Sequence, residues 1–123
     1  MQKINLSEKF SLIHDHWNAR IAGEANGQHI RLVKFHGPFT WHHHENEDDM
    51  FLVFKGRFRL DYRENGIERA EWIESGEFII VPRGIEHRPF AEDECEVLLF
   101  EPVSTLNTGN VEDEFTRKHL EPV

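Results

Sequence analysis

The sequence predicts an all-β fold, and three observations predict it. Short apolar runs such as "MFLVFK", "FIIVP" and "CEVLLFEP" recur along the chain, separated by Gly, Pro, Asn and acidic clusters, as expected of a β domain with tight turns. In "FRLDYR", Phe58, Leu60 and Tyr62 alternate with Arg59, Asp61 and Arg63, the period of a strand with one buried and one wet face. Helical periodicity is nearly absent.

Taken in order, an irregular N-terminus leads into strands over 18–24 and 28–35. Asn26-Gly27 between them is a two-residue hairpin signal, because both residues tolerate positive φ. After "HGPF" come a short "TWHHH" strand, an acidic loop and "MFLVFK", the most apolar strand. "FRLDYR", an "ENG" hairpin and "IERAEWI" follow, then the "ESGE" turn and "FIIVP", whose Pro82 cannot donate to a ladder and so ends the strand or lies at an edge. "IEHRPF" and "CEVLLFEP" complete the set. Beyond Pro102 the sequence turns polar, and "VEDEFTRKH" has acids first and bases last, which predicts a short C-terminal helix. Eight or more short strands must close on themselves or stack as two sheets to hide their edges, as jelly rolls and small barrels do.

The 123 residues suit a single domain over 1–123, with a barrel core over about 18–102 and a tail over 103–123. The lone Cys95 cannot form an internal bridge. No leader pattern and no membrane-length apolar run occurs, so a cytoplasmic protein with no membrane partner is the expectation. A net charge of -9 argues against nucleic acid as a partner, since that affinity rests on clustered Lys and Arg.

Chemistry concentrates in "WHHHENEDDMFLVFKG". Residues two apart in a strand share a face, so His42 and His44 converge while His43 points away. Neutral imidazoles converging on a cavity are metal ligands. Two hold a metal poorly, so others must come from elsewhere. Asp49 shares parity with Phe51 and Val53, with Glu47 as the alternative carboxylate, and His87 follows the Pro82-x-Gly84 turn in "GEFIIVPRGIEH".

Here the sequence resembles the cupin superfamily, whose two motifs are G-x5-H-x-H-x3,4-E-x6-G and G-x5-P-x-G-x2-H-x3-N. Gly76, Pro82, Gly84 and His87 match the second in every spacing; His42, His44, Asp49 and Gly56 match the first. Gly37 stands one residue too close to His42, Asp49 replaces glutamate and is one methylene shorter, and Ala91 replaces the final asparagine. The resemblance implies a jelly-roll barrel (a double-stranded β-helix), usually dimeric, with a divalent metal on His42, His44, His87 and Asp49. Mn, Fe or Ni suits three histidines and a carboxylate, and Zn or Cu is compatible by ligand type.

Blander roles stand beside these. His14 and His16 repeat the H-x-H spacing without a second cluster, and surface packing accounts for them; His36 before the Gly37-Pro38 turn reads as solvated. Cys95 opens an apolar strand and reads as an inert buried thiol. Phe51 is core or pocket lining, and Arg83 and Arg88 flank His87, where they could meet an anionic substrate. Three functions are then open: a metal-dependent enzyme of dioxygenase or isomerase type acting on a small organic molecule, a noncatalytic small-molecule binding or sensing module, and a barrel welded by a structural metal.

Overall fold

A computed structural model describes residues 1–123. The elements in order are α1 (Leu6–Phe10), β1 (Arg20–Ala25), β2 (Gln28–Pro38), β3 (Asp49–Lys55), β4 (Arg57–Glu64), β5 (Ile67–Glu74), β6 (Phe78–Val81) and β7 (Glu86–Pro102). All strand pairings are antiparallel. The hydrogen-bonded path runs β1-β2-β7-β3-β6, and β4 joins β7 and carries β5. This open sheet, folded over on itself, is consistent with a jelly roll. No helix is long and apolar enough to cross a membrane.

The hairpin signals hold for a local reason: Asn26 and Asn65 adopt φ of 53° and 51°, followed by Gly27 and Gly66 at 75° and 76°, the paired left-handed conformations of a tight hairpin. Parity then sorts the side chains. Phe51 and Val53 on β3, Phe58 and Leu60 on β4, and Cys95, Val97 and Leu99 on β7 all face one core. Trp17 seals its end, stacking at 4.4 Å on Phe35 and 4.7 Å on Phe39 while its indole N–H donates to the His36 carbonyl at 2.8 Å.

Four expectations need correction. There are seven strands rather than eight or more, because "IEHRPF" and "CEVLLFEP" form one 17-residue strand. Its first part pairs with β4 and its last part with β2 and β3, so β7 bends around the core. "TWHHH" makes only a bridge, His42 to His87. The N-terminus contains a helix where an irregular segment was expected; the Asn5 side chain caps it, accepting from the Glu8 N–H at 2.9 Å, and the N-x-x-E pattern was readable as such a cap.

The fourth correction concerns the C-terminus, where no helix forms. Side chains take over the backbone bonds a helix would need: Thr108 donates to the Val111 carbonyl at 2.7 Å, Asp113 accepts from the Phe115 N–H, and Asn107 spans the Phe115 carbonyl and the Arg117 N–H. Phe115 and Leu120 pack on the main core, and Pro122 bridges to Ile21. Apolar burial over an extended path thus outweighs the dipole-matched charge order, and residues 103–123 form an integral strap.

Candidate metal centre

The 42–44 segment has no ladder of its own and is clamped from three sides. His42 and His87 exchange backbone hydrogen bonds at 3.1 and 2.8 Å, and the Gly84 N–H donates to the His44 carbonyl at 2.8 Å. Asn110 holds the middle residue at both ends, its N–H donating to the His43 carbonyl at 3.1 Å and its side-chain oxygen accepting from the His43 N–H at 2.9 Å. Gly109 lies so close that a Cβ there would collide with the His43 carbonyl and come within 3.2 Å of the His42 ring. The C-terminal strap therefore builds the site from behind.

This clamping turns His42 and His44 inward and His43 outward to Glu45, as parity requires. His87 joins them from β7 through the same face that carries Cys95, Val97 and Leu99. The three rings sit with centroids 4.4, 5.0 and 5.7 Å apart, and one donor atom from each lies within 4.8 Å of the other two. All three are at most 4% exposed.

Hydrogen bonds set the tautomers. Nδ1 of His42 lies 2.8 Å from the Thr40 carbonyl and Nδ1 of His87 2.8 Å from the Ile85 carbonyl. A carbonyl can only accept, so each Nδ1 carries the proton and each Nε2 keeps its lone pair. Nε2 of His87 and both ring nitrogens of His44 are buried without a partner. Buried polar atoms are rarely left unpaired, and these orphans belong to rings that each place one donor nitrogen within 4.8 Å of the other two. Burial, followed by the neighbouring His87 and His44, drops the His42 pKa to about 2; burial drops His87 to about 4 and lowers His44. Protons therefore do not compete for these nitrogens at neutral pH.

The two candidate carboxylates sit in different surroundings. Asp49 is buried with Oδ2 at 3.5 Å from Nε2 of His44, but it lies outside the mutually close set of three imidazoles. Glu47, the alternative, accepts from Ser104 at 2.9 Å instead. The sequence reading missed Glu101, which is 2% exposed, hydrogen-bonds Asp49, and is bound at 2.7 Å by the buried Arg31. Burial pushes Asp49 up to about 6 and raises Glu101 well above the carboxylate range; Asp49 adds to the rise of Glu101 and Arg31 opposes it. One arginine neutralises one of two touching carboxylates, so the other is stable only with a proton or a cation. The available signal was parity: Glu101 continues the inward series 95, 97, 99, and Arg31 precedes inward Val33 and Phe35.

The remaining candidates are placed plainly. Phe51 is buried edge-on to His87 at 6.1 Å and lines a cavity of about 40 Å³ with Trp17, Phe39, His42, Asp49 and Glu101. Arg88 points to the other face of β7, 2.9 Å from Asp61 and stacked over Trp41. Arg83 is exposed and bound to Asp48 at 3.3 Å. A second, larger groove of about 190 Å³ opens between β4 and β6, lined by Leu60, Tyr62, Ile79, Val81 and Ile85; Tyr62 stands opposite His87 in the β4–β7 ladder.

Comparison with known proteins agrees with this architecture. Residues 31–101 match the family described as Cupin domain. A cupin-2 domain containing protein from Shewanella frigidimarina NCIMB 400 is 36% identical, with a TM-score of 0.76 over 80% of this chain and 93% of its own. Hydroquinone 1,2-dioxygenase from Sphingomonas sp. TTNP3, with 4-hydroxybenzoate bound, shares the fold at 18% identity and a TM-score of 0.74 over 84% of this chain and 32% of its own. The protein YdbB of Bacillus subtilis is 30% identical over 65 residues, 53% of this chain, which spans about half of that relative's length (55%).

Proposed function

The chain belongs to the cupin domain family, and from that premise we propose that it binds a divalent metal through His42, His44 and His87, with Asp49 as an adjoining carboxylate, and is a metal-dependent enzyme of dioxygenase type acting on a small organic molecule. The observation that carries the metal reading is the cluster of three buried imidazoles with one donor nitrogen each within 4.8 Å of the others: Nδ1–H groups anchored on the Thr40 and Ile85 carbonyls leave the Nε2 lone pairs of His42 and His87 free, and His87 Nε2 and the His44 ring nitrogens have no partner. Three nitrogens and a carboxylate suit Mn, Fe or Ni. When bound, such a metal supplies Lewis acidity toward an oxygen donor of the substrate and, if redox-active, electrons for dioxygen chemistry.

The chain's own residues supply the rest. Thr40 and Ile85 carbonyls fix ring orientation. Asp49 and Glu101 hold a proton beside the imidazoles, which cation uptake displaces. Trp17, Phe35, Phe39 and Phe51 wall off water on one side, and the apolar groove between β4 and β6 offers a surface for an organic substrate, its Tyr62 standing opposite His87 in the β4–β7 ladder. The shared fold with a hydroquinone dioxygenase supports oxygenase chemistry ahead of isomerase chemistry by analogy of scaffold.

The test begins with elemental analysis of protein purified without a histidine tag, expected to give one metal per chain in the wild type and a large loss in His87→Ala. Oxygen consumption by the metal-loaded protein is then measured against diketones, phenols, thiols and sugar derivatives. Stoichiometric metal without turnover on any of them would move the reading to a binding module; absence of metal under all loading conditions would refute it.

A further inference from the structure

The groove between β4 and β6 adjoins the metal centre along two strand registers. Tyr62 stands opposite His87 and Val81 opposite Asp49, and opposite residues of an antiparallel pair share a face with Cβ atoms about 5 Å apart. The groove and the imidazole cluster therefore occupy neighbouring positions on one inner surface. Ile85, whose carbonyl holds Nδ1 of His87 at 2.8 Å, lines the groove too. Leu60 and Ile79 extend its apolar wall, Tyr62 is its single neutral polar side chain, and the exposed Glu64 is its single titratable carboxylate.

We infer that the organic molecule taken here is uncharged and carries one ring, with a hydroxyl or carbonyl as its polar group. This substrate class deepens the proposed function and rests on it. The groove's volume of about 190 Å³ lies below the roughly 300 Å³ at which sites for drug-sized ligands begin, so a single ring fills it. Apolar walls bury such a ring, and the Tyr62 hydroxyl can donate to a carbonyl or accept from a hydroxyl.

No cation lines the groove. Arg83 and Arg88, the two arginines beside His87 in the sequence, are engaged elsewhere: Arg83 binds Asp48 at 3.3 Å out in solvent, and Arg88 binds Asp61 at 2.9 Å on the opposite face of β7. The one buried arginine, Arg31, is held by Glu101 at 2.7 Å. A carboxylate in the groove would lose its hydration among apolar side chains without gaining a partner, in a chain of net charge -9. A cationic ligand gains no buried partner either, because Glu64 is exposed and its charge is screened.

Benzamide, benzoate and benzamidine have nearly the same planar shape and differ in charge at neutral pH, which suits them as probes. Each is titrated into the full chain as purified, and again after chelation so that coordination to a metal cannot contribute, while the methyl resonances of Leu60, Ile79, Val81 and Ile85 are followed by NMR. Benzamide is expected to shift these methyls saturably in both forms and to bind at least about tenfold tighter than either ion. Ile79→Lys is expected to reverse the order of benzamide and benzoate; if that variant misfolds, the exposed change Glu64→Lys narrows the gap instead, and Arg83→Ala leaves it as in the wild type. Absence of saturable shifts at these methyls, or benzoate or benzamidine binding as tightly as benzamide, overturns the inference. Metal content is measured separately, so metal uptake with the wrong charge preference sinks the substrate class alone, and benzamide binding in a chain that never takes metal sinks the metal reading alone.

Discussion

Replacing Arg31 with Met tests the buried charge network behind the site. Its guanidinium lies 2.7 Å from Glu101, with both side chains at most 3% exposed, and also donates to the Thr105 and Val103 carbonyls at 2.9 and 3.2 Å. At 2.7 Å and an effective dielectric of about 20 the Coulomb attraction is roughly 6 kcal/mol, and breaking a buried pair by removing one partner costs about 3–5 kcal/mol. The expected loss is therefore about 4 kcal/mol at pH 8. It shrinks at pH 5, because an unpaired Glu101, already pushed up by burial, escapes the penalty by taking a proton. Urea denaturation followed by tryptophan fluorescence at the two pH values gives both numbers, and Arg31→Met with Glu101→Leu should recover most of the loss, since replacing both partners by apolar groups is near neutral. A loss below about 1 kcal/mol, or a larger loss at pH 5 than at pH 8, would refute the reasoning.

Other consequences follow from the same geometry. The lowered His42, His44 and His87 pKa values mean that the unfolded chain binds more protons, so metal-free protein loses stability as pH falls below about 6.5, by up to about 1.4 kcal/mol per histidine per pH unit. Asp49, raised to about 6, acts in the opposite sense between its unfolded value and 6; Asp49→Asn therefore steepens the acid loss, and an equal or shallower slope in melts from pH 7 to 5 contradicts this assignment. Gly109→Ala forces a Cβ against the His43 carbonyl at a φ of 54°, and is expected to cost about 1–3 kcal/mol and to weaken metal binding by titration calorimetry, while Asn110→Ala weakens it less. Saturating metal at 100 times its dissociation constant should stabilise the wild type by about 2.7 kcal/mol and leave His87→Ala unmoved. Cys95, buried and with its thiol pushed up to about 12, should react with a disulfide reagent only as fast as the chain unfolds; rapid labelling of native protein would show otherwise.

Local patterns in the sequence determined the β class, the hairpins at Asn26 and Asn65, the inward parity of His42 and His44, and the two spaced motifs that tie the chain to its family. Each rests on interactions within a few residues, where side-chain alternation and left-handed turns leave one low-energy answer. Tertiary structure decided what no local pattern encodes. His87 meets the histidine pair because β7 is one bent strand rather than two, and that bend follows from the different partners of its two ends. Glu101 and Arg31 become part of the site because two inward-facing charges, 70 residues apart, stay buried only in contact with each other. The strap over 103–123 forsakes its helix-like charge order because Phe115 and Leu120 are buried by an extended path and Gly109 fits only against the His43 backbone. Long-range burial, when it competes with a weak local preference, prevails because covering apolar surface is worth several kcal/mol and a dipole-matched charge order about one.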